Sequence, residues 1–238
     1  MNSTAQPQEE FKRRLQGVRA LIAAAVARAN RNPDEVTLVA VSKTHPSEVI
    51  ISAIATGLTD FGENRVQEAE KKIPQVGRES ARWHLIGHLQ SNKARRAVDL
   101  FDVIHSIDSA ALARRLDWMC SEANRPDLPV LIQVDLAHEP TKSGATEDQL
   151  AGIVEAVNRA AALRLVGLMT VPPFFEEVER VRPYFRKLRE LRDDLRSQGA
   201  FGDSPGELSM GMTHDYEVAI EEGATILRIG TAIFGERN

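Results

Sequence analysis

Apolar positions along this chain follow two rhythms. Phe11, Leu15, Val18, Ile22 and Val26 recur at steps of four, three, four and four, so they share one face of a helix that should pack as an N-terminal cover. After Pro33 the rhythm changes to short β-branched or apolar runs, each followed by a longer stretch of helical period. The runs that predict strands are Thr37 to Ser42, Leu58 to Phe61, Arg82 to Ile86, Phe101 to His105, Pro129 to Val134, Leu163 to Met169, Glu207 to Met210 and Thr225 to Ile229. Helices are predicted at Ser47 to Ala55, Arg65 to Ile73, Asn92 to Val98, Ser109 to Ala123, Glu147 to Ala161, Glu177 to Ser197 and Thr213 to Glu222. Pro183 falls near the start of the sixth of these, where a missing backbone donor is tolerated.

Runs such as TLVAV and ILI are apolar on both faces, which implies a parallel sheet covered by helices. Strand-helix alternation repeated eight times predicts an α/β fold, a single (β/α)8 TIM barrel with an additional N-terminal helix. The alternative, a doubly wound open sheet, lacks a GxGxxG stretch after the first strand. No Gly/Ser/Pro-rich linker divides the chain, so residues 1–238 are expected to form one domain.

Composition narrows the function classes. Hydrophobic residues make up 42% and charged residues 27%, an ordinary globular balance that excludes collagen-like or wholly disordered readings. The net charge of −4 offers no global basic field for nucleic acid, and Lys93, Arg95 and Arg96 read as a solvated helix face. No apolar run approaches the length of a membrane helix. Ala20 to Ala27 resembles the apolar part of a signal peptide, but Glu9 and Glu10 stand where a basic leader belongs, so an amphipathic helix is preferred. The one cysteine, Cys120, shares a helical row with Leu112, Leu116 and Met119 and reads as a buried thiol in a reducing cytoplasm.

In barrels of this kind function sits on the loops after the strands. Those strand ends read SKTH, GEN, GH, HSID, QVDLAHEPTKSG, MTVPP, SMGMT and RIGT. Of seven lysines, six fall on predicted helices or loops, where a solvated ammonium is the default. Lys43 alone directly follows a wholly apolar strand. Burial there favours the free amine, available as a base or an imine-forming nucleophile, although a phosphate clamp or a salt-bridge partner also suits that position.

The last two strands run into Ser209-Met210-Gly211-Met212-Thr213 and Arg228-Ile229-Gly230-Thr231-Ala232, the place where barrels commonly bind phosphate. Glycine lets backbone approach the oxygens, and Ser209 and Thr231 add hydroxyls; turn geometry at Gly211 and Gly230 and helix capping at Ser209 and Thr213 are the alternatives. An amine at one end and a phosphate cup at the other describe a phosphorylated aldehyde, and pyridoxal 5'-phosphate (PLP) meets both demands. Arg228 could then reach the ring nitrogen. It stays protonated, so it can donate there without surrendering a proton, which keeps the ring a weak electron sink.

At this point the motifs match a family. LVAVSKTHP around Lys43, FGENRVQE from Phe61, WHLIGHLQSNK from Trp83, EPTKSG from Glu139, GLMTVPP from Gly167, SMGMTHD from Ser209 and RIGTAIFGER from Arg228 occur in order. On these the chain resembles, nearly end to end, the YggS/PROSC family of pyridoxal phosphate homeostasis proteins, whose fold is similar to the barrel domain of alanine racemase. The resemblance implies that Lys43 is the Schiff-base lysine, Arg228 the ring-nitrogen partner, and Ser209 with the Gly230 and Thr231 amides the phosphate site. Asn64 looks like a further ligand-side residue, with helix N-capping as its alternative. The family usually has serine where Thr213 stands. Lys142 is a weaker candidate for a second or transfer site, set against a plain ion pair with Glu139.

Two functions compete. A racemase-like enzyme needs a second acid/base opposite Lys43, normally a tyrosine, and Tyr184 and Tyr216 both read as helix residues away from the mouth. The chain ends at Asn238, just past the eighth strand, so no closing second domain is expected. An exposed, weakly activated cofactor suits storage or delivery better than turnover. The expectation is a monomeric cytoplasmic PLP binder without robust catalysis, with PLP-requiring apo-enzymes as candidate recipients and neither nucleic acid nor membrane as partners. A third reading, a metal site at His84 and His88, needs a helix that Gly87 and the preceding strand make doubtful.

Overall fold

Among the described residues, eight parallel strands pair in chain order and close on themselves, β1 beside β8 as well as β2. The computed structural model describes residues 5–137, 139 and 143–235. The strands are β1 (Thr37–Val41), β2 (Asp60–Glu63), β3 (Arg82–Leu85), β4 (Val103–Ile107), β5 (Leu128–Gln133), β6 (Leu163–Met169), β7 (Glu207–Ser209) and β8 (Ile226–Ile229). The helices are α1 (Ala5–Arg28), α2 (Ser47–Ile54), α3 (Val66–Val76), α4 (Ala94–Leu100), α5 (Ala110–Glu122), α6 (Glu147–Asn158), α7 (Arg182–Ser197), α8 (Tyr216–Glu221) and α9 (Thr231–Phe234). This is the (β/α)8 barrel with an added N-terminal helix that the alternation predicts.

Two apolar layers hold it together. Val39, Val103, Leu131, Val166, Met169 and Ile226 fill part of the barrel interior, while a larger shell packs between the barrel wall and the helices. In α1 the expected stripe lies inward: Leu15, Val18 and Val26 are buried, and Phe11 packs on Phe234 with ring centres 5.7 Å apart. Arg31 ties the chain after α1 to the Ile220 and Ala224 carbonyls at 3.0 and 2.7 Å. Cys120 lies on the buried face of α5, and burial pushes its thiol up to about 11, so it is an inert structural thiol.

Several predicted elements shift, the fourth strand to Val103–Ile107 and the third helix to Ala94–Leu100 among them, and for three the physical reason is visible. The second strand is not Leu58 to Phe61 but Asp60–Glu63. Gly57 turns with φ +83°, and the barrel register takes polar residues inward because partners on other elements satisfy them. The predicted helix from Glu177 opens instead with a 3-10 turn, Val178–Val181, and α7 begins at Arg182 with Pro183 in its first turn. The predicted helix from Thr213 starts only at Tyr216, because the Asp215 carboxylate accepts the Met212 amide at 2.6 Å and holds the preceding loop in a turn.

Candidate functional site

The wall that carries Lys43 is built from buried charge. β1 ends at Val41, and Ser42 is fully buried, with its amide on the Gly62 carbonyl and its hydroxyl donating to Glu63 at 2.8 Å. Lys72 of α3 donates to the Ser42 carbonyl at 2.8 Å, to Glu63 at 2.9 Å and pairs with Glu68 at 3.0 Å. Glu68 in turn accepts the Thr44 amide at 2.5 Å, and Thr44 adopts φ +68°, a conformation that non-glycine residues seldom take. Half-buried Lys43 therefore sits between two residues whose backbone is pinned by one cluster. Lys72 corrects the expectation of a solvated ammonium: it is 8% exposed. Burial pushes the Glu63 carboxyl up, against the pull of Lys72 and Ser42, and its Oε2 is buried with no hydrogen-bond partner.

On the other side of β1, β8 runs in register with Val39 opposite Arg228 and Ala40 opposite Ile229. Gly230 thus reaches the rim beside Val41, where an added Cβ would stand 3.3 Å from the Val41 carbonyl oxygen. The Arg228 guanidinium is buried, donating to the Ser209 hydroxyl at 2.6 Å and to the Thr170 carbonyl at 2.8 Å. Burial pulls it down to about 10, with Asp215 opposing, so it remains a cation at neutral pH. A guanidinium carries five N–H donors, so those two bonds leave others for a ligand.

The Ser209 and Thr213 hydroxyls have different surroundings. The Ser209 hydroxyl is turned into the barrel, between Arg228 and His105 Nδ1 at 2.9 Å. Thr213 instead lies against the rim backbone, its Oγ1 3.5 Å from the Ala232 amide. Thr231 is exposed in the first turn of α9, where amides lack helical acceptors. Gly211 has φ +92°, and a Cβ there would come within 2.7 Å of the Ala219 Cβ, so the turn reading of this glycine holds.

Asn64 follows β2 on the same rim, level with Lys43 by the pairing of Val41 with Gly62. Its capping alternative is not realised, since Arg65 occupies the N-cap of α3 without a side-chain cap bond. Gly87 lies so close to the Asn64 backbone that a Cβ would stand 2.2 Å from its carbonyl oxygen. His84 and His88 do not share a helix face: His84 is buried on β3, whereas His88 pairs with Asp108 at 3.2 Å on the rim. Among the described residues no group of three His, Cys, Asp or Glu is placed to hold a metal. Arg95 and Arg96 pair with Asp99 and Glu70, a solvated face interleaved with acids. Tyr184, in the first turn of α7, stacks on Phe175 of the loop after β6, and Tyr216 is buried at the start of α8. Lys142 lies outside the described residues. No described helix is long and apolar enough to cross a membrane.

What sequence reasoning missed is a polar chain through the barrel. His105 Nε2 lies 2.9 Å from His84 Nδ1, and His84 Nε2 lies 2.9 Å from Asp60 Oδ1. Together with Ser209 and Arg228 these residues cross the interior from β2 to β8. His84 also lines a cavity of about 610 Å³ at the N-terminal end of the barrel, opposite the rim. The rim itself combines a primary amine, a buried guanidinium and open first-turn amides beside a hydroxyl. That set can hold a ligand with a carbonyl, a hydrogen-bond acceptor and an anionic group.

Comparison with known proteins identifies the family. Residues 15–238 match the family model described as alanine racemase, N-terminal domain. The chain is 44% identical over 224 residues to the pyridoxal phosphate homeostasis protein of Aquifex aeolicus, covering 94% of this chain and 97% of that one. It is 42% identical over 227 residues to the protein of the same name from Escherichia coli K12, covering 94% and 95%. PipY of Synechococcus elongatus PCC7942, solved with PLP bound, superimposes with a TM-score of 0.82 at 37% identity, covering 94% of this chain and all of that one. Alanine racemase of Corynebacterium glutamicum shares the fold, with a TM-score of 0.71 at 20% identity over 97% of this chain and 61% of its own. The chain belongs to the alanine racemase N-terminal-domain family and, within it, to the pyridoxal phosphate homeostasis proteins.

Proposed function

We propose that this protein binds pyridoxal 5'-phosphate through Lys43 and manages its supply, holding and releasing the cofactor without robust catalysis. One observation carries the reading: a buried arginine cation, locked by Ser209 and Thr170, lies on β8 below the rim amides and beside the strand that presents Lys43. PLP, when bound, supplies an aldehyde that condenses reversibly with a primary amine and a pyridine ring that can draw electrons. The donor set fits those demands. Lys43 would supply the amine; the Thr213 hydroxyl and the Gly230–Thr231 backbone would receive the phosphate; Asn64 would face the ligand from β2.

Arg228 sets the limit on chemistry. It would donate to the ring nitrogen and keep its own proton, so the ring draws electrons weakly and carbanion chemistry is restrained. Tyr184 is stacked on Phe175 and Tyr216 is buried, which gives no support to either as a second base. Storage or delivery is the function this supports, in a monomer acting in the cytoplasm as one domain, with PLP-requiring apo-enzymes as recipients. The experiment is to load the protein with PLP, remove the excess, and add an apo-enzyme that needs it. Recovery of the apo-enzyme's activity, with no conversion of amino acids by the loaded protein alone, is expected. Steady racemisation of an added amino acid would replace this reading with the enzyme one.

A further inference from the structure

The chain Arg228–Ser209–His105–His84–Asp60 is continuous, with successive separations of 2.6, 2.9, 2.9 and 2.9 Å. Its two ends are chemically fixed. Arginine has no acceptor, so at the rim end Arg228 donates and Ser209 accepts. At the other end Asp60 is a carboxylate. Burial alone would raise it, but hydrogen bonds from His84 and Thr59, with the charge of Arg82, bring it below its ordinary value. Burial lowers both histidines, His105 well below the usual range, so each ring carries one proton at neutral pH.

These constraints leave one arrangement. His84 must donate from Nε2 to Asp60, so its Nδ1 is an acceptor. His105 must then donate from Nε2 to His84, which leaves its own Nδ1 an acceptor. The Ser209 hydroxyl must donate to that nitrogen, and its oxygen accepts from Arg228. Every donation runs from the buried cation toward the carboxylate, and each internal group is satisfied in its neutral form.

We propose that Asp60 is a positioning residue for Arg228: acting through His84, His105 and Ser209, it fixes the direction of the whole chain and so the guanidinium donors left facing the rim. Without the carboxylate nothing holds the proton of His84 on Nε2. Both rings can then reverse, with His105 donating from Nδ1 to Ser209, whose hydroxyl proton loses its acceptor. Arg228 would keep its charge and its bond to Thr170 but share the Ser209 oxygen with a second donor, so its orientation is less firmly held. The consequence for a ligand rests on the proposed PLP reading; the chain itself does not.

The test uses ligand-free, 15N-histidine-labelled full-length protein and two-bond proton–nitrogen correlations, which distinguish protonated from bare ring nitrogens. The expected result is Nε2–H with bare Nδ1 at both His84 and His105. Asp60→Ala should abolish that fixed state at His105, two residues along the chain, while Asp60→Asn, whose amide carbonyl still accepts, should restore it. A purely structural role for Asp60 would change stability and leave the His105 tautomer alone. A proton on His105 Nδ1 in the wild type overturns the proposal, and this arm decides even where Asp60→Ala fails to fold. With PLP added, Asp60→Ala should bind about tenfold more weakly and Asp60→Asn within about twofold of wild type, the scale of one hydrogen bond. Unchanged affinity in Asp60→Ala would overturn the positioning role. Failure of the wild type to bind PLP would instead sink the proposed function and leave the tautomer result standing.

Discussion

The Thr44 amide donates to Glu68 across 2.5 Å, which holds the residue after Lys43 in a left-handed conformation at φ +68°. A threonine pays a steric penalty there that glycine would not, so the contact acts as a clamp on the strand end. Glu68→Ala is expected to lower unfolding free energy by about 1 kcal/mol, since an exposed amide regains water. It should also weaken PLP binding without moving the absorbance maximum, because the chemistry at Lys43 is unchanged. Denaturant titration and a PLP binding isotherm check both; unaltered affinity would mean the clamp does not set the Lys43 position.

Behind that clamp, Glu63 is wholly buried against Lys72. Lys72→Met leaves a buried carboxyl unpaired and should cost about 3–5 kcal/mol. Adding Glu63→Leu should return most of that loss, because two apolar side chains replace the pair. Urea unfolding of the single and double variants reads this directly, and a double variant no more stable than Lys72→Met would contradict it.

Arg228→Glu tests the ring partner. A carboxyl cannot donate as a fixed cation does, so the visible spectrum of bound PLP should shift and affinity should fall. If spectrum and affinity both stay put, Arg228 is not at the ring.

The two hydroxyls separate by ligand. Thr213→Ala should weaken PLP by about 10- to 100-fold, the range of one hydrogen bond to a charged group, and leave pyridoxal, which lacks the phosphate, nearly unaffected. Ser209→Ala should weaken both ligands alike, because it acts through Arg228. Competition binding with the two vitamers settles which hydroxyl serves the phosphate, and the reverse pattern would return Ser209 to the cup.

Acid should destabilise the fold through His84 and His105. Their folded pKa values lie below the unfolded value near 6.5, so the unfolded chain binds more protons as pH falls. Their neutral forms cost the fold nothing above about pH 7, and stability drops below pH ~6 by about 1.4 kcal/mol per pH unit for each histidine. Glu63, raised by burial, acts in the opposite sense, losing stability as pH rises through its folded value. With two histidines against one carboxyl, unfolding free energy measured from pH 7.5 to 5.5 should fall, and more steeply in Glu63→Gln; a profile that stays flat in Glu63→Gln would contradict the lowered histidine values.

Much of the barrel is legible in sequence because its strands are apolar on both faces; Leu163–Met169 matches its predicted bounds. The second strand is not, because Asp60 and Glu63 are tolerated inside only through partners 24 and 9 residues away in sequence. Lys72 carried a readable signal: it sits on the helical row of Ala69, Ile73 and Val76, all buried. The polar chain had none. Its contacts span 24, 21, 104 and 19 residues, and only closure of the barrel brings β2, β3, β4, β7 and β8 together. Lys43, Asn64, Arg228, Gly230 and Thr231 collect near the rim because strand ends do, whereas the inward turn of the Ser209 hydroxyl toward His105 and Arg228 is not legible, because side-chain direction at the end of a short strand is set by packing.

The most direct measurement is reduction of the PLP-loaded protein with borohydride, followed by peptide mass mapping. A stable adduct on Lys43, with Lys43→Ala folded but colourless on adding PLP, is the expected result. An adduct on another lysine, or retained imine absorbance in Lys43→Ala, would contradict the assignment of the covalent site to the end of β1.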